Sequence, residues 1–441
     1  MSVILDATHD AALRSWVSAA NEPTSDFPIQ NLPFGVFRRR GKKESPGIGV
    51  AIGDRVLSLT RCARAGLLTG GAAAAARFAV DDTLNRLMSH GRELARALRK
   101  AILEILEQSN AAAERRAAEI TIPMDAVELL LPVSIGDYSD FYASIHHATN
   151  VGSMFRPDNP LLPNYKYIPI GYHGRASSMV VSGTPVRRPL GQTREDANAA
   201  PVFGPSRRLD YELELGAYVG AGNALGEPVP IARVEELLWG VSLVNDWSAR
   251  DIQSWEYQPL GPFLSKSFAT TVSPWVVTLD ALAPFRAPLA PRASGDPAPL
   301  PYLSDAKDQK QGGIDLTLEV WLRSAKMRER GDAPMRVSRA RFVEMYWTLA
   351  QMTAHHTSNG CNLRTGDLIA SGTVSGATKE SRGCLLERAW RGTEPVELPS
   401  GERRAFLEDG DEVIMRGYAE RAGYRRVGLG ECAGVVSSPN G

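Results

Sequence analysis

Leu209-Asp210-Tyr211-Glu212-Leu213-Glu214-Leu215 is the most regular run in the chain. Bulky and acidic residues alternate at every step. A period of two belongs to a β-strand, with Leu and Tyr on one face and three carboxylates on the other. Neighbours two apart on a strand lie roughly 6.6–7 Å apart along the backbone, so Glu212 and Glu214 can tip onto one ion. Two readings of the acidic face stay open at this point. It is either the solvent side of an edge strand, or an oxygen-donor set whose mutual repulsion a hard divalent cation relieves.

Upstream, Gly136 to Arg156 holds Asp137, Asp140, two tyrosines, the adjacent pair His146 and His147, and Arg156 among the aromatic residues Tyr138, Phe141, Tyr142 and Phe155. A core would not carry so many ionisable groups, and a solvated surface would not need so many aromatic ones. Aromatic walls around convergent polar groups are the composition of a small-molecule site. Downstream, Asp246, Arg250, Gln253 and Tyr257 are spaced i, i+4, i+7 and i+11, which predicts one polar face of a helix. Lys266 and Thr270 follow in a Ser-Lys-Ser-Phe-Ala-Thr-Thr string. Ser371-Gly-Thr-Val-Ser-Gly376 is a small-residue loop at which a backbone can approach a ligand closely. His355-His356 lacks carboxylate or Cys partners at ligand spacing and is read as structural.

Further out, Ile48, Val50 and Ile52, a Gly53-Asp54 turn, and Val56, Leu57 and Leu59 predict a hairpin. A long apolar stripe from Leu84 to Leu106 predicts a helix. Val181 to Val186 suggests a curved antiparallel barrel or roll. Residues 280 to 312, rich in Pro, Ala and Asp, read as a surface excursion. Fifty Lys plus Arg balance fifty Asp plus Glu, so no basic excess points to nucleic acid or anionic lipid. No apolar run reaches the ~20 residues of a membrane span. The N-terminus has no secretory pattern, and the four cysteines form no C-x-x-C pair, which together predict a reducing cytoplasmic location. No P-loop, G-x-S-x-G elbow or H-E-x-x-H is present.

Five ordered strings then resemble the fumarylacetoacetate hydrolase family. They are Asp137-Tyr-Ser-Asp-Phe-Tyr142, His147-Ala-Thr-Asn-Val-Gly152, Gly171-Tyr-His-Gly-Arg-Ala-Ser-Ser178, Asn245-Asp-Trp-Ser-Ala-Arg-Asp251 and Ser371 to Gly376. The resemblance runs from Asp26 to Gly434. It implies a mainly β fold with some α: a small N-terminal SH3-like β-barrel domain in residues 1–130 and a larger mixed β-sandwich roll in 131–441, assembled as a homodimer. The implied activity is metal-dependent hydrolysis of a carbon–carbon bond in a small diketo acid, 4-fumarylacetoacetate, with Ca²⁺ or Mg²⁺ as cofactor and Mn²⁺ as a further candidate. Implied metal ligands are Asp140, Glu212, Glu214 and Asp246, with Lys266 and Thr270 contributing through backbone oxygens, since an ammonium cannot ligate a cation. His147 would be the general base and Glu387 its orienting partner, with Arg250, Gln253 and Lys266 near developing negative charge. Substrate contacts would be Tyr142, Arg156, Tyr172, Gln253, Tyr257 and Thr373. Ala269 stands where the family usually has Gly, and His146 where no histidine is expected. An acylpyruvate hydrolase or decarboxylase on the same scaffold, and a non-catalytic metal-stabilised binding protein, are the competing readings.

Overall fold

The computed structural model describes residues 4–196 and 198–440. Early in the chain, short apolar runs broken by Gly and Asp turns fold into a five-stranded antiparallel sheet. Its order is Thr121–Pro123, Arg55–Ser58, Gly47–Ile52, Phe34–Arg39, Val127–Leu130. The expected hairpin is there, turning at Gly53 with φ +54°. The predicted single helix is two, Asn85–Ser89 and Gly91–Leu106, because the chain turns at Gly91, whose φ of +75° lies in the region that favours glycine.

The rest of the chain forms two stacked sheets. The larger runs Gly171–Gly174, Tyr138–Phe141, Leu368–Ala370, Leu213–Val219, Leu238–Asp246, Thr270–Val272, Met179–Val181, with Val277–Thr278 also paired to Leu238–Asp246. It is mixed rather than antiparallel throughout, since Leu368–Ala370 lies parallel to Tyr138–Phe141 and Thr270–Val272 parallel to Met179–Val181. The second sheet orders Met335–Arg341, Thr317–Arg323, Glu412–Ala419, Val427–Ser437, Val186–Arg187. Leu213, Leu215, Ala217, Val241 and Leu243 of the first meet Leu318, Val320, Leu322, Val413 and Met415 of the second in one buried core.

Period-two alternation sends the other parity to the opposite face. There Tyr138, Tyr218, Val244, Val272 and Leu368 join a second core with Phe34, Val36, Ile48, Leu98 and Ile102 from the first 130 residues. The two parts are also joined by backbone. Phe34 and Val276 exchange hydrogen bonds of 3.0 and 2.7 Å, and Arg92 pairs with Asp280 at 2.7 Å. The large sheet is therefore covered on both sides, which removes the solvent-face reading of the acidic run. That run is also not one strand. Leu209–Asp210 pairs with Ser248–Ala249, the ladder lapses at Tyr211 and Glu212, and Leu213–Val219 resumes at the sheet centre.

Residues 286–302 are exposed or half-buried, as expected of a surface excursion, but the segment 280–312 is anchored at both ends. Leu282, Phe285 and Leu303 are buried, and Asp308 lies under Thr348, whose hydroxyl is 3.1 Å from both carboxylate oxygens. Burial pushes the Asp308 carboxyl up to about 6 despite the Thr348 hydrogen bond and the charges of Arg286 and Lys307. An acid whose folded pKa is raised favours the folded state when protonated, so stability is present below about 3.8 and lost as pH rises through about 6. D308N should therefore melt a few degrees above the parent at pH 8 and level with it near pH 3.5. Coincident melting curves at pH 8 would show that this carboxyl carries no such penalty.

Candidate active site

Three strands and the turn before one of them bring four acids together. Asp140, Glu214 and Asp246 have the strand parity of Tyr138, Tyr218 and Val244, so they project from the face that the first 130 residues cover further along. Glu212 joins them from the break in the alternating run. One carboxylate oxygen of each lies within 4.8 Å of the others, and all four residues are buried. Asp246 ends the Leu238–Asp246 strand, and the helix that follows spans only Arg250–Glu256, so the predicted continuous helical face from Asp246 to Tyr257 does not exist. Asp246 reaches the cluster as a strand end instead.

Two cations serve these acids. Lys266 Nζ donates to Asp246 at 2.8 Å and also to Glu212, while Arg250 Nη2 lies 2.7 Å from Glu212 Oε1. Thr270 Oγ1 and Tyr172 Oη each donate to Asp246 at 2.9 Å. The side chains of Lys266 and Thr270 thus hold a carboxylate directly. The local electrostatics split the cluster. Burial opposes ionisation of Glu212, yet Lys266 and Arg250 hold it well below the usual carboxylate range. Burial, then Asp140, Asp246 and Glu212, push Glu214 well above it. No donor group reaches either Glu214 oxygen, and the side chain it meets, Asp140, is itself an acid. A buried acid without a donor is an expensive arrangement unless a cation completes it. The donor set, all carboxylate oxygen, fits a hard divalent ion. E214Q should raise the melting temperature of the metal-free protein while weakening divalent-ion binding by about 10²-fold or more, beyond the 10–100-fold typical of an outer-shell partner. Calorimetric titration of both proteins decides this, and unchanged affinity would remove Glu214 from the ligand set.

Beside this cluster stands a histidine. Ser144 caps the Ile145–Phe155 helix, whose first turn carries His147. His147 Nδ1 lies 2.6 Å from Glu387 Oε2, a residue 240 positions later in the short Leu385–Arg388 helix. Glu387 also accepts from Asn150 at 2.8 Å, Ser375 at 2.8 Å and the Cys384 thiol at 3.2 Å. Burial would raise its carboxyl, but the His147 charge and the hydrogen bonds of His147, Asn150 and Ser375 hold it at about 2. Tyr142 packs edge-on to the His147 ring at 5.1 Å. His146 sits half-buried, one helical step of ~100° away from the Glu387 bond. H147A should lower turnover by ~10²–10⁴, the usual worth of a positioned proton acceptor. H146Q should stay within roughly a few-fold of the parent. Steady-state kinetics showing the reverse pattern would mean that the base is the other histidine.

Other expected residues are placed less centrally. The Thr373 hydroxyl is buried without a partner, in the loop where Gly372, φ +71°, passes so close to Phe141 that a Cβ would meet its carbonyl at 2.0 Å. Gln253 accepts from Arg250 at 3.1 Å. Tyr257 is 40% exposed, its hydroxyl bonded to Gln258. Arg156 is exposed at the helix end and bonds the Pro160 carbonyl, so no contact draws it to the cluster. His356 is engaged by Ser139 at 2.7 Å. The sequence reading missed Asn150, Ser375, Cys384 and Asp210. The first two lie inside the quoted strings, and Asn150 is one helical turn from His147.

The family model for the fumarylacetoacetate (FAA) hydrolase C-terminal region matches residues 138–437, and that for the fumarylacetoacetase N-terminal region matches 30–132. The chain belongs to the fumarylacetoacetate hydrolase family. Similar proteins include the fumarylacetoacetases of Bos taurus, 50% identical over 428 residues (96% of this chain, 98% of that one), and of Homo sapiens, 48% identical over 419 (93% and 96%). The Arabidopsis thaliana fumarylacetoacetase is 46% identical over 437 residues, 97% of this chain and all of its own. Among solved structures, the fumarylacetoacetate hydrolase of Exiguobacterium antarcticum superposes with a TM-score of 0.51 at 16% identity, covering 92% of this chain and 99% of that one, which shows a common fold. The family's mixed β architecture is thus that of the two stacked sheets described above.

Proposed function

We propose that the protein hydrolyses the carbon–carbon bond of 4-fumarylacetoacetate to fumarate and acetoacetate. The observation that carries this reading is a hydrogen-bonded His147–Glu387 pair within electrostatic reach of Glu212, one of four clustered buried carboxylates of which Glu214 is reached by no donor. Near-full-length relatives named fumarylacetoacetase support it.

The difficulty of the reaction is its carbanion leaving group. Asp140, Glu212, Glu214 and Asp246 would hold a divalent ion, Ca²⁺ or Mg²⁺ with Mn²⁺ also suited to oxygen ligands. When bound, that ion supplies Lewis-acid stabilisation of the diketo oxygens. The protein groups do the rest. Glu387 accepts a hydrogen bond from Nδ1–H, which leaves Nε2 of the neutral imidazole to accept a proton from the attacking water. The oxygen of that water bonds to the carbonyl carbon on the fumaryl side, and the carbon–carbon bond breaks with its electron pair on the acetoacetyl carbon. Arg250, Gln253 and Lys266 would face the negative charge so formed, and the imidazolium would return its proton to that carbon. Tyr142, Tyr172, Tyr257 and Thr373 would line the substrate, and Arg156 would reach a substrate carboxylate by swinging in from its exposed position.

The same reading takes residues 1–130 as a separate N-terminal domain and 131–441 as the catalytic one. The cytoplasm suits its four unpaired cysteines. Among the described residues no helix is long and apolar enough to cross a membrane. A homodimer is part of the same reading, and Phe203, Leu260 and Phe263 are among the large apolar side chains left exposed on the single chain. The test is turnover of fumarylacetoacetate against acylpyruvates by the purified protein, before and after chelation. Fumarylacetoacetate should be the better substrate by kcat/KM, and activity should vanish with EDTA and return with Mg²⁺, Mn²⁺ or Ca²⁺. A preference for acylpyruvate, or full turnover without metal, would overturn the reading.

A further inference from the structure

Asp210 shares the alternating run with Glu212 and Glu214 but does not face their cluster. It is fully buried, and both carboxylate oxygens are committed elsewhere. Oδ1 accepts from the backbone N–H of Tyr211 at 2.8 Å and of Leu385 at 2.7 Å. Oδ2 accepts from Arg250 Nε at 2.9 Å and from the N–H of Leu386 at 3.0 Å. Leu385 and Leu386 open the four-residue helix that carries Glu387, and the residue at its N-cap, Cys384, makes no side-chain cap. A helix this short has no stability of its own and takes its position from whatever bonds its ends. Arg250, gripped through Nε, presents Nη2 to Glu212 and Nη1 to Gln253. One carboxylate therefore stands between the proton acceptor's support and the cation-holding cluster.

We propose that Asp210 is a positioning residue that fixes the Glu387–His147 pair relative to Arg250 and Glu212. This rests on the reading of His147 as the base. Asp210 touches neither substrate nor ion in this role. It acts by holding two donors of one helix and one donor of the guanidinium in a single rigid frame.

D210N tests it, because the amide keeps the shape but must turn its NH₂ toward either Arg250 and Leu386 or Tyr211 and Leu385, all of them donors. With one tether lost, kcat should fall about 30–100-fold, the scale of a misplaced reacting group, with KM within about threefold. Divalent-ion affinity should stay within about fivefold, since no ligand is removed. The downfield proton resonance of the short His147–Glu387 bond should move or broaden in D210N. The D210N/E387Q protein should be at least about tenfold more active than the product of the single defects requires, because both act through one group. An unchanged resonance, fully multiplicative kinetics, or a collapse of ion affinity as the main effect would each overturn the proposal. The resonance and the ion titration need no substrate, so they judge Asp210 even if the proposed reaction fails. Should D210N not fold, amide exchange of the parent over residues 384–389 decides. Exchange as slow as that of the Leu213–Val219 strand supports the tether, and exchange at the rate of a frayed helix end refutes it.

Discussion

Four carboxylates within 4.8 Å of one another, with two basic side chains among them, are the constraint on which this structure depends. Like charges at that spacing and in low dielectric cannot all ionise unaided. The protein answers unevenly. Arg250 and Lys266 are paired with Glu212 and Asp246, and Glu214 is left without a donor. The unequal result, one glutamate pushed down and its strand neighbour pushed up, follows from where the cations reach. Such an arrangement stores an affinity for a divalent ion in the fold itself.

Glu387 shows the opposite treatment of the same functional group. It is as deeply buried as Glu214, yet it accepts from an imidazole, an amide, a hydroxyl and a thiol. Donors hold it ionised where desolvation alone would neutralise it. Two equally buried glutamates are thereby left in opposite states, one pushed toward its neutral form and one held ionised against a histidine. Asp210 lies between these arrangements with every lone-pair direction in use.

The first 130 residues bear on this chemistry without supplying a member of the cluster. The sheet face that carries Asp140, Glu214 and Asp246 continues into Tyr138, Tyr218 and Val244, and these pack against Phe34, Val36 and Ile48. Covering that face beyond the acids buries the strands that carry them on both sides.

Legible in the sequence alone were the strands at either end of the 209–215 run, the concentration of aromatic and ionisable groups in 136–156, and, through five long strings, the family. These are local properties, carried by period and composition, and they survive folding because side-chain alternation is a property of the strand itself. That Asp210 leaves the acidic face came from the tertiary structure, because the ladder lapses at Tyr211 and Glu212 and Asp210 pairs with Arg250 instead. Periodicity suggested a helical face from Asp246 to Tyr257, but strand pairing with Thr270 claims Asp246 first. The burial of Leu282, Phe285 and Leu303 was hidden by a Pro- and Ala-rich composition that locally resembles a surface loop. The cage around Glu387 joins residues up to 240 positions apart. No local pattern encodes such a contact, because it exists only once the sheets have stacked and brought the two short helices face to face.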